Sequence, residues 1–93
     1  MKAILITYQL RELGNTEIII NKIKSFSTWA KINDNAWIII TNKEIGEVRD
    51  EVANGLGEGI NLLAIDVTHK GWGSYAISTE VTDWMKKNLK QNE

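Results

Sequence analysis

The stretch AILITYQLRE, residues Ala3 to Glu12, decides the fold. Side chains along a strand alternate between its two faces. Ile4, Ile6 and Tyr8 then share one face, and Ala3 and Leu5 share the other. Both faces are apolar, which places a strand from Lys2 to Tyr8 at the centre of a sheet rather than at its margin. The strand delivers Tyr8, Gln9, Arg11 and Glu12 to one edge of the molecule. Arg11 to Asn15, with Gly14 inside it, reads as a polar connection.

Working outward, Asn15 or Thr16 can cap a helix running to about Ser25, because a short oxygen-bearing side chain satisfies an orphan N–H of the first turn. Ile19, Ile23 and Phe26 recur at helical spacing, and Ile20 widens the stripe. Thr28 to Ile32 reads as a short strand. Asn33-Asp34-Asn35 reads as a turn, since Asn and Asp bond their own main chain. AWIIIT, Ala36 to Thr41, is a second oily strand of β-branched and aromatic type. Thr41-Asn42-Lys43-Glu44 fits a capping box, with Glu44 three residues after Thr41. The helix it opens turns Ile45, Val48 and Val52 inward and stops at Asn54-Gly55. Asn61 to Val67 is a fourth strand, HKGWGSYA a loop, and Ser78 the cap of a last helix. That helix carries Val81, Trp84, Met85 and Leu89 on one stripe, with Lys86, Lys87 and Lys90 near its C-terminus, where cations suit the dipole.

The order β-α-β-β-α-β followed by a helix is that of an α+β, ferredoxin-like sandwich with an antiparallel sheet and an extra C-terminal helix. It fits one domain over residues 1–93, with a polar tail from about 90. Helices cover one face of such a sheet, yet strands 1 and 3 are apolar on both. The C-terminal helix, a second copy, or both must cover the other face. A homodimer is the expected solution, since uncovered apolar patches mark interfaces.

Bulk properties narrow the function. Charged residues are 25% and hydrophobic ones 43%, ordinary globular values that argue against disorder. The net charge of −1 supplies no global field toward nucleic acid or acidic membranes. The absence of cysteine removes disulfides, thiolate nucleophiles and Cys-based metal sites, and fits a cytoplasmic setting. MKAILITYQL reads as a strand rather than a signal peptide, and no apolar run approaches a membrane span.

Three features together carry a resemblance: the ILITYQL strand, the ferredoxin-like order in under a hundred residues, and the GWGSYAISTEVTDWM ending. The chain resembles, over nearly its whole length, the SinR-like proteins of the CRISPR-associated protein 2 and VapD superfamily. The resemblance implies a ferredoxin-like homodimer, and some members are metal-dependent or metal-independent nucleases. The metal-dependent branch keeps an aspartate after the tyrosine of strand 1, where this chain has Gln9. A neutral amide holds Mg2+ poorly compared with a carboxylate. No metal or cofactor is therefore expected.

The candidate residues are few. Tyr8, Gln9 and Arg11 could contact a base or a phosphate at the strand end. His69 is the only histidine, the side-chain type suited to acid–base work near neutral pH, with Lys70 beside it. General acid–base work also needs a positioned partner, for which Asp66, Glu12 and Glu58 are candidates. Trp72, between Gly71 and Gly73, could stack on a base, fill a dimer groove or latch a C-terminal segment. Trp29 and Trp37 could form a stacking platform, but without a basic surround they read better as dimer-interface residues. The cluster of Lys86, Lys87 and Lys90 reads as a solvated helix end. The first functional expectation is a non-catalytic homodimeric module working through protein or RNA or DNA contacts, without a membrane. The alternative is a weak VapD-like metal-independent endoribonuclease using His69 and Tyr8. A third is a small-molecule or nucleotide-binding regulator.

Overall fold

The computed structural model describes residues 1–11 and 16–89. Glu12, Gly14, Asn15, Lys90 and the polar tail, together with the side chain of Glu58, lie outside the described residues. The elements run β1 (Lys2–Leu10), α1 (Thr16–Lys24), β2 (Thr28–Asn33), β3 (Ala36–Thr41), α2 (Ile45–Ala53), a short 3-10 turn (Gly57–Gly59), β4 (Ile60–Asp66) and α3 (Thr79–Asn88). The four strands form one antiparallel sheet in the order β2-β3-β1-β4. This small α+β architecture is compatible with the ferredoxin-like class. The doubly apolar strands β1 and β3 are central, where neighbours on both sides satisfy their backbone groups and both faces can be covered.

Each face carries its own core. On one, Ile4, Ile6 and Tyr8 of β1 and Trp37 and Ile39 of β3 meet Ile19 and Ile23 of α1 and Val48 and Val52 of α2. On the other, Ala3 of β1 and Ile38 and Ile40 of β3 meet Met85 and Leu89, with Trp72, Val81 and Trp84 packed around them. The helix α3 therefore supplies cover from the chain itself. It leans toward the β2 side of the sheet, where the Trp84 Nε1–H donates to Thr28 Oγ1 at 2.9 Å.

The local signals act mostly as chemistry requires. The Asn35 N–H donates to Asn33 Oδ1 at 2.9 Å, closing the turn between β2 and β3. Ser78 caps α3 by accepting from the Val81 N–H at 3.2 Å. Gly55, just past α2, takes φ +83°, a conformation that costs glycine nothing. One expectation is corrected. The capping box of α2 is Glu44 with Glu47, one step later than Thr41 with Glu44. Thr41 stays in β3, where its Oγ1 accepts from the Lys43 N–H at 3.1 Å. The extended backbone of Glu44, at φ −70° and ψ 154°, is the geometry a cap needs.

Candidate functional site

The end of β1 is the first place to look. The strand runs to Leu10, two residues further than the sequence reading, so Gln9 is a strand residue. Antiparallel pairing sets Gln9 opposite Asn61 and Thr7 opposite Leu63 on β4. Directly opposed residues project to the same face. An open concavity of about 470 Å³ results, lined by Thr7, Gln9, Asn35, Asn61 and Leu63 among others. Within the described residues the Gln9 and Asn61 amides make no hydrogen bond. Asn35 is held by the strand end: its Nδ2–H donates to the Tyr8 carbonyl at 2.9 Å, and its own carbonyl accepts from the Tyr8 N–H at 3.0 Å. Asn35, Asn61, Thr7 and Leu63 were not singled out from the sequence. The signal that finds them is the antiparallel register, which puts Asn61 across from Gln9.

Tyr8 itself is not free to act on a ligand. It is 6% exposed, and its hydroxyl is engaged twice. It accepts from the Trp37 Nε1–H at 3.2 Å and donates to the Asp34 carbonyl at 3.2 Å. Trp37 is 1% exposed beneath α1 and α2, which corrects its reading as an interface residue. A ring there cannot meet a partner without unpacking the core. Trp29 is half-buried on the same face, with its ring centroid 5.4 Å from that of Trp37 at 60°. The two form a tilted core pair, and Lys24 lies over the Trp29 ring at 5.1 Å. They do not make an open stacking platform. Arg11 is exposed, and its N–H donates to the Gly59 carbonyl at 2.9 Å, tying the strand end to the turn before β4.

The second candidate cluster lies at the far end of the sheet. Beyond β4 the chain bonds back to the start of β1, with the Val67 N–H donating to the Ala3 carbonyl at 2.8 Å and the Ala3 N–H to Thr68 Oγ1 at 2.9 Å. Asp66 Oδ1 accepts from Thr68 Oγ1 at 2.6 Å and from the Thr68 N–H at 2.9 Å. These hydrogen bonds, and then the Lys2 and Lys70 cations, hold its carboxyl below the ordinary 3.8. His69 follows at φ +59°, exposed, with Lys70 exposed beside it.

This register separates the two clusters. Five residue steps of β1 separate Ala3 from Tyr8, roughly 17 Å at about 3.3 Å per residue. Within the chain His69 and Tyr8 stand at opposite ends of β1 and share no reacting centre. Among the described residues, no group of three or more His, Asp or Glu side chains is placed to hold a metal ion. Lys86 and Lys87 are exposed in the last turn of α3, as a solvated helix end requires.

Trp72 takes a third position. It is half-buried against the α3-covered face, and its Nε1–H donates to the Leu89 carbonyl at 3.2 Å. Of the roles open to it from sequence, the latch on the C-terminal segment is the one this bond describes.

An uncharged strip runs along the strands between these sites. On the α3 side of the sheet, β1 and β4 present Leu5, Thr7 and Gln9 beside Ile65, Leu63 and Asn61. Leu63 is 55% exposed and Ile65 42%. Not one of these six residues is charged, on a chain whose residues are 25% charged. The strip is apolar at one end and amide-bearing at the other. No helix of the described residues is long and apolar enough to cross a membrane. No family model matches the chain, and no curated protein matches it.

Proposed function

We propose that this chain is a non-catalytic homodimeric module of the ferredoxin-like split βαβ type, with α3 as an added helix. In this reading it belongs with the SinR-like group and works through protein or nucleic-acid contacts. The observation that carries it is the uncharged strip of Leu5, Thr7, Gln9, Asn61, Leu63 and Ile65. A second copy related by a twofold axis along the strands would set Leu63 and Ile65 against their own counterparts and amides against amides. No like charges would oppose each other across such an interface, and isologous contacts are the commonest way a chain closes on itself. With Trp37 in the core and Trp29 packed on it, the dimer contact rests on aliphatic residues, and Trp72 borders it only from the α3 side.

The non-catalytic part rests on position. Tyr8 spends its hydroxyl on Trp37 and Asp34, and His69 lies at the other end of the strand. The test is incubation of the purified chain with a short single-stranded RNA at low and high salt, with and without Mg2+. The expected outcome is intact RNA under all conditions. Cleavage that disappears in His69→Ala would overturn this reading in favour of the endoribonuclease.

A further inference from the structure

Beside the strip, under Trp72, lies a small concavity of a different kind. Its volume is about 170 Å³, and its walls include Leu5, Ile38, Met85 and Leu89, with Trp72 along one side. Among the described residues lining it Lys70 is the only charged one, and its side chain is exposed. We propose that this concavity binds a small aromatic monocarboxylate, with the ring between the aliphatic wall and Trp72 and the carboxylate on the Lys70 ammonium.

Size sets the ring. A closed cavity of about 150 Å³ with leucine, isoleucine and phenylalanine walls stays dry and accepts one benzene, so the space under Trp72 is of a size to seat one ring. The wall chemistry sets the ring's character. Leu, Ile and Met offer dispersion contacts and no hydrogen-bond partner, and a tryptophan face prefers offset or edge-on aromatic neighbours. Trp72 is held for this task, because its bond to the Leu89 carbonyl fixes the indole against the last turn of α3. Charge sets the head group. Among the described residues the lining contains one cation and no anion. Asp66, whose carboxylate the Lys70 cation acts on, is engaged by the Thr68 hydroxyl and N–H. A ligand anion at Lys70 therefore shares the cation with Asp66, whose Oδ1 already accepts two hydrogen bonds from Thr68. Both glycines flanking Trp72, Gly71 and Gly73, keep the approach free of side chains.

The test uses the full chain and three probes of matched size: phenylacetate, neutral benzyl alcohol and cationic phenethylamine. Binding is followed by methyl NMR shifts at Leu5, Met85 and Leu89 during titration to millimolar probe. Phenylacetate is expected to saturate and to bind roughly fivefold tighter than benzyl alcohol, the scale of a partly exposed ion pair, with phenethylamine weakest. The preference is expected to shrink with added salt. Lys70→Gln, at an exposed position, is expected to keep the fold and bind phenylacetate and benzyl alcohol equally. Absence of saturable shifts, equal binding of all three probes by the unaltered chain, or an anion preference that survives Lys70→Gln would overturn the proposal. The titration reads occupancy rather than mass, so its outcome is separate from that of self-association.

Discussion

Tyr8→Phe isolates one hydroxyl, and its consequence follows from the two bonds that hydroxyl makes. It accepts from the Trp37 indole N–H and donates to the Asp34 carbonyl, both at 3.2 Å. Asp34 is exposed in the turn between β2 and β3, so water replaces the lost donor there at little cost. Trp37 is 1% exposed, and its N–H loses its hydrogen-bond partner when the hydroxyl is gone. An unsatisfied buried donor costs about 1–3 kcal/mol, and we expect about 2 kcal/mol because the rest of the ring stays packed. A domain of this size loses about 4–8 °C of Tm per kcal/mol, so thermal unfolding should shift down by roughly 8–16 °C. The assay is denaturant and thermal unfolding of both chains. The double variant Tyr8→Phe with Trp37→Phe supplies the cycle, because removing the donor as well should recover most of the cost of the hydroxyl deletion. A Tyr8→Phe chain as stable as the parent would refute the reasoning. It would mean that the hydroxyl is not a core partner, and it would return Tyr8 to the set of residues free to act on a ligand.

Two further outcomes concern the ends of elements. Ser78→Ala removes the cap of α3 and should cost about 1 kcal/mol, seen as faster amide exchange through α3 with β1 and β4 unchanged. Asp66→Asn tests the acid dependence of the β1–β4 closure. The Asp66 carboxyl is held below its ordinary 3.8 in the folded chain, so the stabilisation it gives is full above that value and is lost as pH falls through the folded pKa. Acid titration of stability should therefore show the parent and Asp66→Asn apart at neutral pH and converging in strong acid; a constant difference across the range would contradict the assignment.

The fold was legible where the chemistry is local. The oily runs around Ile4 and Ile38 could only be central strands, and the Asn33–Asn35 turn and the Ser78 cap act as their side chains predict. The α2 cap slipped because two overlapping tetrads, Thr41 to Glu44 and Glu44 to Glu47, both satisfy the same pattern, and only strand pairing of Thr41 decides between them. The site was less legible. A strand apolar on both faces does not say which face the first two helices take, so Trp37 could be read as surface when it is core. An amphipathic stripe such as Val81, Trp84, Met85 and Leu89 likewise says that α3 buries one side, not what it covers. The separation of Tyr8 from His69 was available in principle, since an antiparallel β1–β4 pair must send the end of one strand to the start of the other.

The account rests on the uncharged strip being an interface between copies. Sedimentation equilibrium of the parent chain and of Leu63→Lys tests it most directly, because Leu63 is 55% exposed and a lysine there leaves the folded protomer intact. The expected result is twice the 10.5 kDa chain mass for the parent and a single chain mass for Leu63→Lys, with matching circular dichroism. A parent that sediments as a monomer, or a Leu63→Lys chain that still pairs as tightly, would contradict the account.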